Sequence, residues 1–352
     1  MGCGRIAERH ANSIKELSNS HPISLVGACD IVEEKSLHFC DKHNIDSFTS
    51  IASGIHSTKP DIVSILTESG NHARHAEEVI RMSVSVAIEK PASLSARDFE
   101  RLCSLAVQYN VHVFTIKQNR FNRPVKFLRQ LVDEKRLGDL LMVTSRVRWM
   151  RTEEYYKQAS WRGTYELDGG VVSNQASHHL DMMVWFGGRV KRVNSISRRF
   201  MAPIECEDTA IAMLEFESGA IGAFEATTCT RYKDLEGSIS VLGTRGSCVI
   251  DGFAMNHLQS LSFESQQQHP SESELDISTN PPNVYGFGHS EFYIALCNRM
   301  KMGDKHRSLV EGREALHTIQ VMNAVYKSAK TNDWVEASTE NDYFNETINE
   351  NY

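Results

Sequence analysis

Between residues 23 and 116, short apolar runs alternate with segments of helical spacing, and this alternation constrains the fold more than any other feature. Ile23–Asp30 and Asp61–Thr67 read as strands, Val84, Val86 and Ile88 alternate as a third, and Val111–Ile116 as a fourth. From His72 to Met82, Ala73, Ala76, Val79 and Ile80 fall on one helical face. Ser95 with Asp98 resembles a capping box before a helix carrying Phe99, Leu102 and Leu105. Strand–helix–strand order with short links requires parallel strands and right-handed crossovers. This part of the chain is therefore expected to form a doubly wound α/β sheet of Rossmann type.

After residue 118 the texture changes. Pro124 opens a helix expected to reach Lys135, with Gly138 closing it. Asp208–Glu217 and Ala220–Thr228 flank Ser218-Gly219, and Gly237–Leu242 and Ser247–Asp251 flank a second glycine-containing turn. Successive hairpins imply a large antiparallel or mixed sheet in a second, α+β domain. The polar stretch 264–283, with Pro281-Pro282, reads as a surface loop. A last helix from about Gly312 to Ala329 has an apolar face of Leu316, Ile319, Asn323 and Tyr326. The expected organisation is a Rossmann-type α/β domain over 1–118 and an α+β domain over 119–303. A C-terminal helix over 304–330 packs back, and 331–352 is a frayed polar tail.

Composition narrows the function classes. Lys and Arg number 38 against 45 Asp and Glu, a net charge of −7 with no long basic run, which argues against a nucleic-acid-binding surface. No stretch approaches the roughly 20 apolar residues that span a bilayer. Eight cysteines are scattered with no Cys-x-x-Cys pair, the pattern of thiols in a reducing cytosol rather than of a disulfide frame or zinc site. A cytoplasmic enzyme is the expectation.

The chemistry-bearing residues are specific. Gly2-Cys3-Gly4-Arg5-Ile6-Ala7 fits the G-x-G-x-x-A dinucleotide fingerprint, in which glycines admit a pyrophosphate to a helix N-terminus; by itself the motif also fits a chance turn. Asp30 ends the next strand, where a carboxylate binds the ribose hydroxyls of NAD and repels the 2′-phosphate of NADP; a plain strand-end turn is the other reading. A fingerprint follows a central strand of about five apolar residues, yet only Met1 precedes Gly2. The expectation is that an apolar strand lies upstream, or that the nucleotide domain folds poorly and binds NAD weakly.

Glu89-Lys90-Pro91 follows a strand. A lysine at the carboxyl end of a parallel strand points into the ligand crevice of an open α/β sheet, where its cation stabilises a hydroxyl oxygen losing its proton. A surface lysine before a turn proline is the alternative. Further on comes Gly169-Gly170, then Ser173-Asn174, His178-His179 and Asp181. If 174–185 is helical, Asn174, His178 and Asp181 share a face, and a neutral imidazole oriented by the carboxylate accepts a hydroxyl proton. A satisfied buried histidine is the alternative. Adjacent helical residues diverge by about 100°, so His178 and His179 make a poor metal pair. Trp161-Arg162-Gly163 offers a guanidinium for a carboxylate or phosphate, or an ordinary surface arginine.

Together these motifs resemble the Gfo/Idh/MocA family of nicotinamide-dependent sugar and cyclitol dehydrogenases, from Gly2 to about Ala329. The markers are the glycine fingerprint, Thr67 with His72, Glu89-Lys90-Pro91, the Gly169-Gly170 to Asp181 block and Gly286-Phe287-Gly288-His289. The resemblance implies Lys90 and His178 as the catalytic pair. It implies NAD held by Gly2, Gly4, Arg5, Ile6, Asp30, Thr67, His72, Glu89 and Lys90, and substrate contacts from Lys90, Arg162, Ser173, Asn174 and His178. Glu68 stands where Pro is common, and Asn174 where many members carry Asp, which favours a hydrogen bond to substrate there over an acid–base role. Lys117–Asn122, Ser160–Thr164 and Ser173–His179 are similar to the branch of UDP-N-acetyl-2-amino-2-deoxyglucuronate 3-dehydrogenases of bacterial O-antigen and lipopolysaccharide synthesis. That likeness implies oxidation of the C3 hydroxyl of a UDP-N-acetylglucosaminuronic acid-type nucleotide sugar, with a 2-oxo acid as reoxidant, in a homo-oligomer (dimer or tetramer). A dehydrogenase of another sugar or cyclitol is one alternative. A non-catalytic sensor on the same fold is another, which the presence of both Lys90 and His178 disfavours.

Overall fold

The apolar runs of the first part become short parallel strands, each followed by a helix. The structure, a computed structural model, describes residues 1–265, 276–279 and 286–350, so most of the stretch expected as a surface loop at 264–283 lies outside the described residues. The chain divides into two units, one of residues 1–93, 98–118 and 287–315, the other of residues 94–97, 119–286 and 316–352. No helix among the described residues is long and apolar enough to cross a membrane.

The first unit runs α1 (Arg5–Leu17), β1 (Gly27–Cys29), α2 (Glu33–His43), β2 (Asp46–Phe48), α3 (Ile51–Thr58), β3 (Ile62–Ile65), α4 (His72–Ile80), β4 (Ser85–Ile88), α5 (Ala96–Gln108) and β5 (Val113–Thr115). Strands β3, β4 and β5 are parallel neighbours. All four residues of β4 are buried, because helices cover both faces of such a strand. The short strand Val310–Glu311 pairs antiparallel with β5, and helix Gly288–Met302 packs on α1. Residues 287–315, expected in the second domain and the C-terminal helix, thus belong to the first unit. Strands β1 and β2 form a separate parallel pair. Met1 and Gly2 hold the central position next to both sheets. The Met1 amine donates to Ser64 O, Leu66 N–H donates to Met1 O, and Gly2 N–H donates to Cys29 O, each at 2.8 Å. On α1, Ala7 and Ala11 pack against Phe39 and Cys40 of α2.

The second unit contains α6 (Arg123–Asp133), β6 (Leu140–Arg148), α7 (Glu153–Lys157), α8 (Ser177–Gly187), β7 (Val190–Arg198), β8 (Thr209–Phe216), β9 (Ile221–Thr227), β10 (Glu236–Gly243), β11 (Gly246–Asp251) and β12 (His257–Phe263). They form a mixed sheet in the order β12-β11-β10-β6-β9-β8-β7, edged by Val335–Glu336, in which β6 and β9 are the parallel pair. Pro124 lies in the first turn of α6, where its missing N–H costs nothing. Both expected hairpins form, and Gly219 supplies φ +87 at the first. Ala210, Ala212, Leu214 and Phe216 of β8 point inward, whereas Ile211 and Met213 are exposed beside Ile196 and Ile221. On the covered side, α8 packs on β6 and β10, and helix Leu316–Thr331 packs on β7.

Three local expectations fail. Helix α8 begins at Ser177, leaving Asn174 in the turn that precedes it. Helix Leu316–Thr331 is buried on most of its circumference, not along one stripe. The expected polar tail instead forms a short strand, Val335–Glu336, and a helix, Tyr343–Glu350. Val335 and Glu336 pair with β7, Tyr343 and Phe344 pack on Tyr326, and Asp342 accepts Ser95 Oγ at 2.7 Å and Arg97 N–H at 2.8 Å. A few apolar residues spread among polar ones suffice to dock this segment, and they leave no periodic signal.

Candidate active site

The first unit builds the glycine turn. Gly2 has φ +91, and a Cβ there would meet Leu66 O at 2.7 Å, so neither backbone nor space admits a side chain. Gly4 precedes α1 with open space around it, Arg5 is exposed, and Ile6 is half-buried. Asp30 braces the turn: Oδ2 accepts Cys3 N–H at 2.8 Å and Oδ1 accepts Val32 N–H at 2.9 Å. A bare glycine turn, the N–H groups opening α1 and a carboxylate fixed beside them fit a dinucleotide. Gly2 and Gly4 would admit the pyrophosphate, and Asp30 would take the ribose hydroxyls.

His72 and Glu89 spend their side-chain polar atoms on protein groups. Buried His72 places Nδ1 at 2.7 Å from Pro91 O and Nε2 at 3.0 Å from Thr67 O, tying the end of β3 to the turn after β4. Burial pushes its pKa down. Thr67 Oγ1 meets His75 Nδ1 at 2.9 Å. Glu89 is also buried, and its Oε2 accepts the N–H of Lys90 at 2.9 Å. Both side chains thus lie against the lysine turn, His72 through Pro91 O and Glu89 through the Lys90 N–H. Lys90 itself is partly exposed.

In the second unit Asp168 is the organising group, and sequence reasoning missed it. Its Oδ2 accepts Gly163 N–H at 2.8 Å and its Oδ1 accepts Asn174 Nδ2 at 2.6 Å, which joins the Arg162 turn to the Asn174 turn. The Arg162 guanidinium lies 4.4 Å from the Tyr155 ring centroid and 4.7 Å from that of Trp161, and Nη1 donates to Tyr155 OH at 2.7 Å. Its buried Nε has no acceptor among the described residues. Ser173, expected to touch substrate, is fully buried. Its Oγ donates to Asp168 O at 2.8 Å and lies 3.2 Å from Tyr326 OH, pinning the Gly169-Gly170 turn from inside.

His178 sits in the first turn of α8, mostly buried. Asp181, expected to orient it, receives Arg120 in a bidentate pair, Nε at 2.8 Å and Nη2 at 2.9 Å, with Thr318 Oγ1 at 3.2 Å. Both ions are buried, and the guanidinium lies 4.7 Å from the Trp185 ring. The carboxylate neutralises a buried arginine that lies 61 residues away in sequence, which no local pattern discloses.

Glu207 lies beneath Gly170, where a Cβ would come within 2.2 Å of its carboxylate. Oε1 accepts Val172 N–H at 3.0 Å and Tyr326 OH at 2.9 Å. Burial nevertheless pushes this carboxyl up to about 7 from an ordinary 4.5. The folded state therefore holds a proton that the unfolded chain releases. The resulting stabilisation, about 3 kcal/mol, is complete below pH 4.5 and lost as pH rises through 7. Melting temperature should fall from pH 5 to pH 8, and Glu207→Gln, a mimic of the protonated acid, should flatten that slope. Equal slopes in the two proteins would refute this.

A family model described as "Oxidoreductase family, NAD-binding Rossmann fold" matches residues 1–116, and one described as "Oxidoreductase family, C-terminal alpha/beta domain" matches residues 129–337. Among solved structures, the chain is similar to the WlbA dehydrogenase from Chromobacterium violaceum in complex with NADH and UDP-GlcNAcA. The two are 32% identical with a TM-score of 0.87, over 95% of this chain and 94% of that one. The WlbA dehydrogenase from Bordetella pertussis, in complex with the same two molecules, is 30% identical with a TM-score of 0.85, over 95% and 96% of the two chains. Among curated relatives, the 1-carboxy-3-chloro-3,4-dihydroxycyclohexa-1,5-diene dehydrogenase of Comamonas testosteroni is 28% identical over 194 residues. That match spans 53% of this chain and 47% of that protein.

Proposed function

The chain belongs to the Gfo/Idh/MocA oxidoreductase family with NAD as its cofactor, and on that premise we propose that it oxidises the C3 hydroxyl of a UDP-N-acetylglucosaminuronic acid-type nucleotide sugar to the ketone. NAD supplies the acceptor for the two electrons. The Lys90 ammonium donates to the hydroxyl oxygen and stabilises it as its proton leaves, and the His178 imidazole accepts that proton. Arg162 binds the uronate carboxylate, and Asn174 hydrogen-bonds the sugar.

The observation that carries the substrate class is Arg162. A guanidinium stacked on two aromatic rings, with no carboxylate partner among the described residues, suits a carboxylate brought by the substrate. The likeness to two dehydrogenases in complex with UDP-GlcNAcA supports the same class. The test is NADH formation with UDP-GlcNAcA, with neutral UDP-GlcNAc and with free cyclitols. Arg162→Met should weaken the uronate by about 10- to 100-fold, the scale of a lost charge-assisted pair, and the neutral sugar far less. A uniform loss would make Arg162 structural, and a preference for a cyclitol would replace this reading by a cyclic-alcohol dehydrogenase.

Asp30 accounts for NAD over NADP, since its braced carboxylate repels a 2′-phosphate. Asp30→Ala should narrow the ratio of kcat/KM for the two cofactors. Equal use of both by the unaltered protein would remove Asp30 from that role.

A further inference from the structure

A buried cluster inside the first unit joins the dinucleotide helix to the lysine turn, and the chemistry proposed above makes no use of it. Glu89 Oε1 lies 3.0 Å from His10 Nε2 and 3.8 Å from His289 Nε2. His10 Nδ1 meets Tyr293 OH at 2.8 Å, and the same hydroxyl meets Ser64 Oγ at 3.2 Å. His10 belongs to α1, and His289 and Tyr293 belong to helix Gly288–Met302. The helix start is held close to the chain after β5, because a Cβ on Gly288 would come within 2.0 Å of Gln118 O. The other Glu89 oxygen, Oε2, accepts the N–H of Lys90.

A carboxylate this deeply buried is costly unless it is paired and hydrogen-bonded. Burial raises the Glu89 carboxyl, and the bonds from His10 and His289 outweigh that and hold it well below the usual range. Burial pushes His289 down to about 4, so that ring is neutral at pH 7. The titratable groups facing the cluster are Arg9 and His10 on α1, His72 on α4, and His289 and Tyr293 on the later helix, with Lys90 adjacent in the chain. One fixed negative charge therefore touches α1 through one oxygen and the Lys90 backbone through the other.

We propose that Glu89 is the positioning residue for Lys90: its carboxylate, held by His10, sets the lysine turn against α1 and favours the ammonium form of the side chain. This rests on Lys90 as the catalytic cation. One nitrogen or oxygen from each of His10, Glu89 and His289 lies within 4.8 Å of the others, a spacing a metal ion also tolerates. A zinc ion ~2.0 Å from each would hold them about 3.3 Å apart, whereas the His10–Glu89 separation of 3.0 Å is that of a hydrogen bond.

Two substitutions separate geometry from charge. Glu89→Gln keeps an acceptor for Lys90 N–H and a polar contact to His10 but removes the charge, whereas Glu89→Ala removes both. Glu89→Ala should lower kcat about tenfold or more, the scale of a misplaced catalytic group, with NADH affinity changed less than about threefold. Glu89→Gln should move the basic limb of the kcat–pH profile down by about one unit, since loss of a nearby carboxylate weakens the lysine's hold on its proton. The same shift should appear without turnover in the ¹³C resonance of reductively methylated Lys90, assigned by its loss in Lys90→Met. An unshifted resonance, or an Ala variant with normal kcat, overturns the proposal. So does one equivalent of a transition metal in the purified protein that disappears in Glu89→Gln. Normal turnover in Lys90→Met would instead overturn the catalytic reading, and the resonance would still decide whether Glu89 acts on Lys90.

Discussion

Lys90→Ala and His178→Ala are each expected to lower kcat by at least about 100-fold, the low end of a general acid–base contribution. The affinity for NADH should stay within a few-fold of the parent. The contacts argued for the dinucleotide lie at Gly2, Gly4 and Asp30, and Asp30 is braced by Cys3 and Val32, not by the lysine turn. Single-turnover measurements at saturating NAD separate the chemical step from binding. A loss confined to KM would mean that the residue binds substrate without taking part in proton movement. Near-normal turnover in either variant would remove that residue from the catalytic pair.

The second large effect is on stability. Arg120 and Asp181 form a bidentate pair that is almost wholly buried, with Trp185 against the guanidinium and Thr318 on the carboxylate. Removing one partner strands a charge where water does not reach, which costs about 3–5 kcal/mol. Asp181→Asn or Arg120→Met should therefore lower the melting temperature by on the order of ten degrees. The double variant Arg120→Met with Asp181→Leu should recover most of that loss, because two well-packed apolar groups leave no ion uncompensated. Equal and additive losses in a double-mutant cycle would show that the two side chains act independently. A loss of turnover in Asp181→Asn without any loss of stability would show that this carboxylate serves His178.

The parts of this protein legible in the sequence are those whose signal is local. A period of two over β8 and β9 with Gly219 between them marks a hairpin, since only a residue at ease with φ +87 turns the chain there. The spacing of Ala76, Val79 and Ile80 marks the buried face of α4. Gly2, Gly4 and Asp30 announced a dinucleotide turn, and the structure brings Asp30 to it through the Cys3 N–H. Arg162 stood out through its aromatic neighbour in the chain, Trp161, although Tyr155 had to be brought by the fold.

Other assignments depended on partners that arrive from far along the chain. Asn174, His178 and Asp181 fit one helical stripe in sequence, but α8 opens only at Ser177, and Asp181 meets Arg120 from 61 residues away. Ser173 sits among residues that look like a binding motif, yet its hydroxyl is spent inside, on Asp168 and Tyr326. Glu207 carries no motif at all, and its raised pKa comes from burial under Gly170. The cluster of His10, Glu89 and Tyr293 spans 283 residues between His10 and Tyr293. By itself the sequence determined the alternation of elements, the glycine turns and the residue types available for hydride-transfer chemistry, because period and φ preference act within a few residues. Which polar group each buried charge meets was decided only by the tertiary structure, since burial sets the energy of a charge and burial is a property of the packed chain.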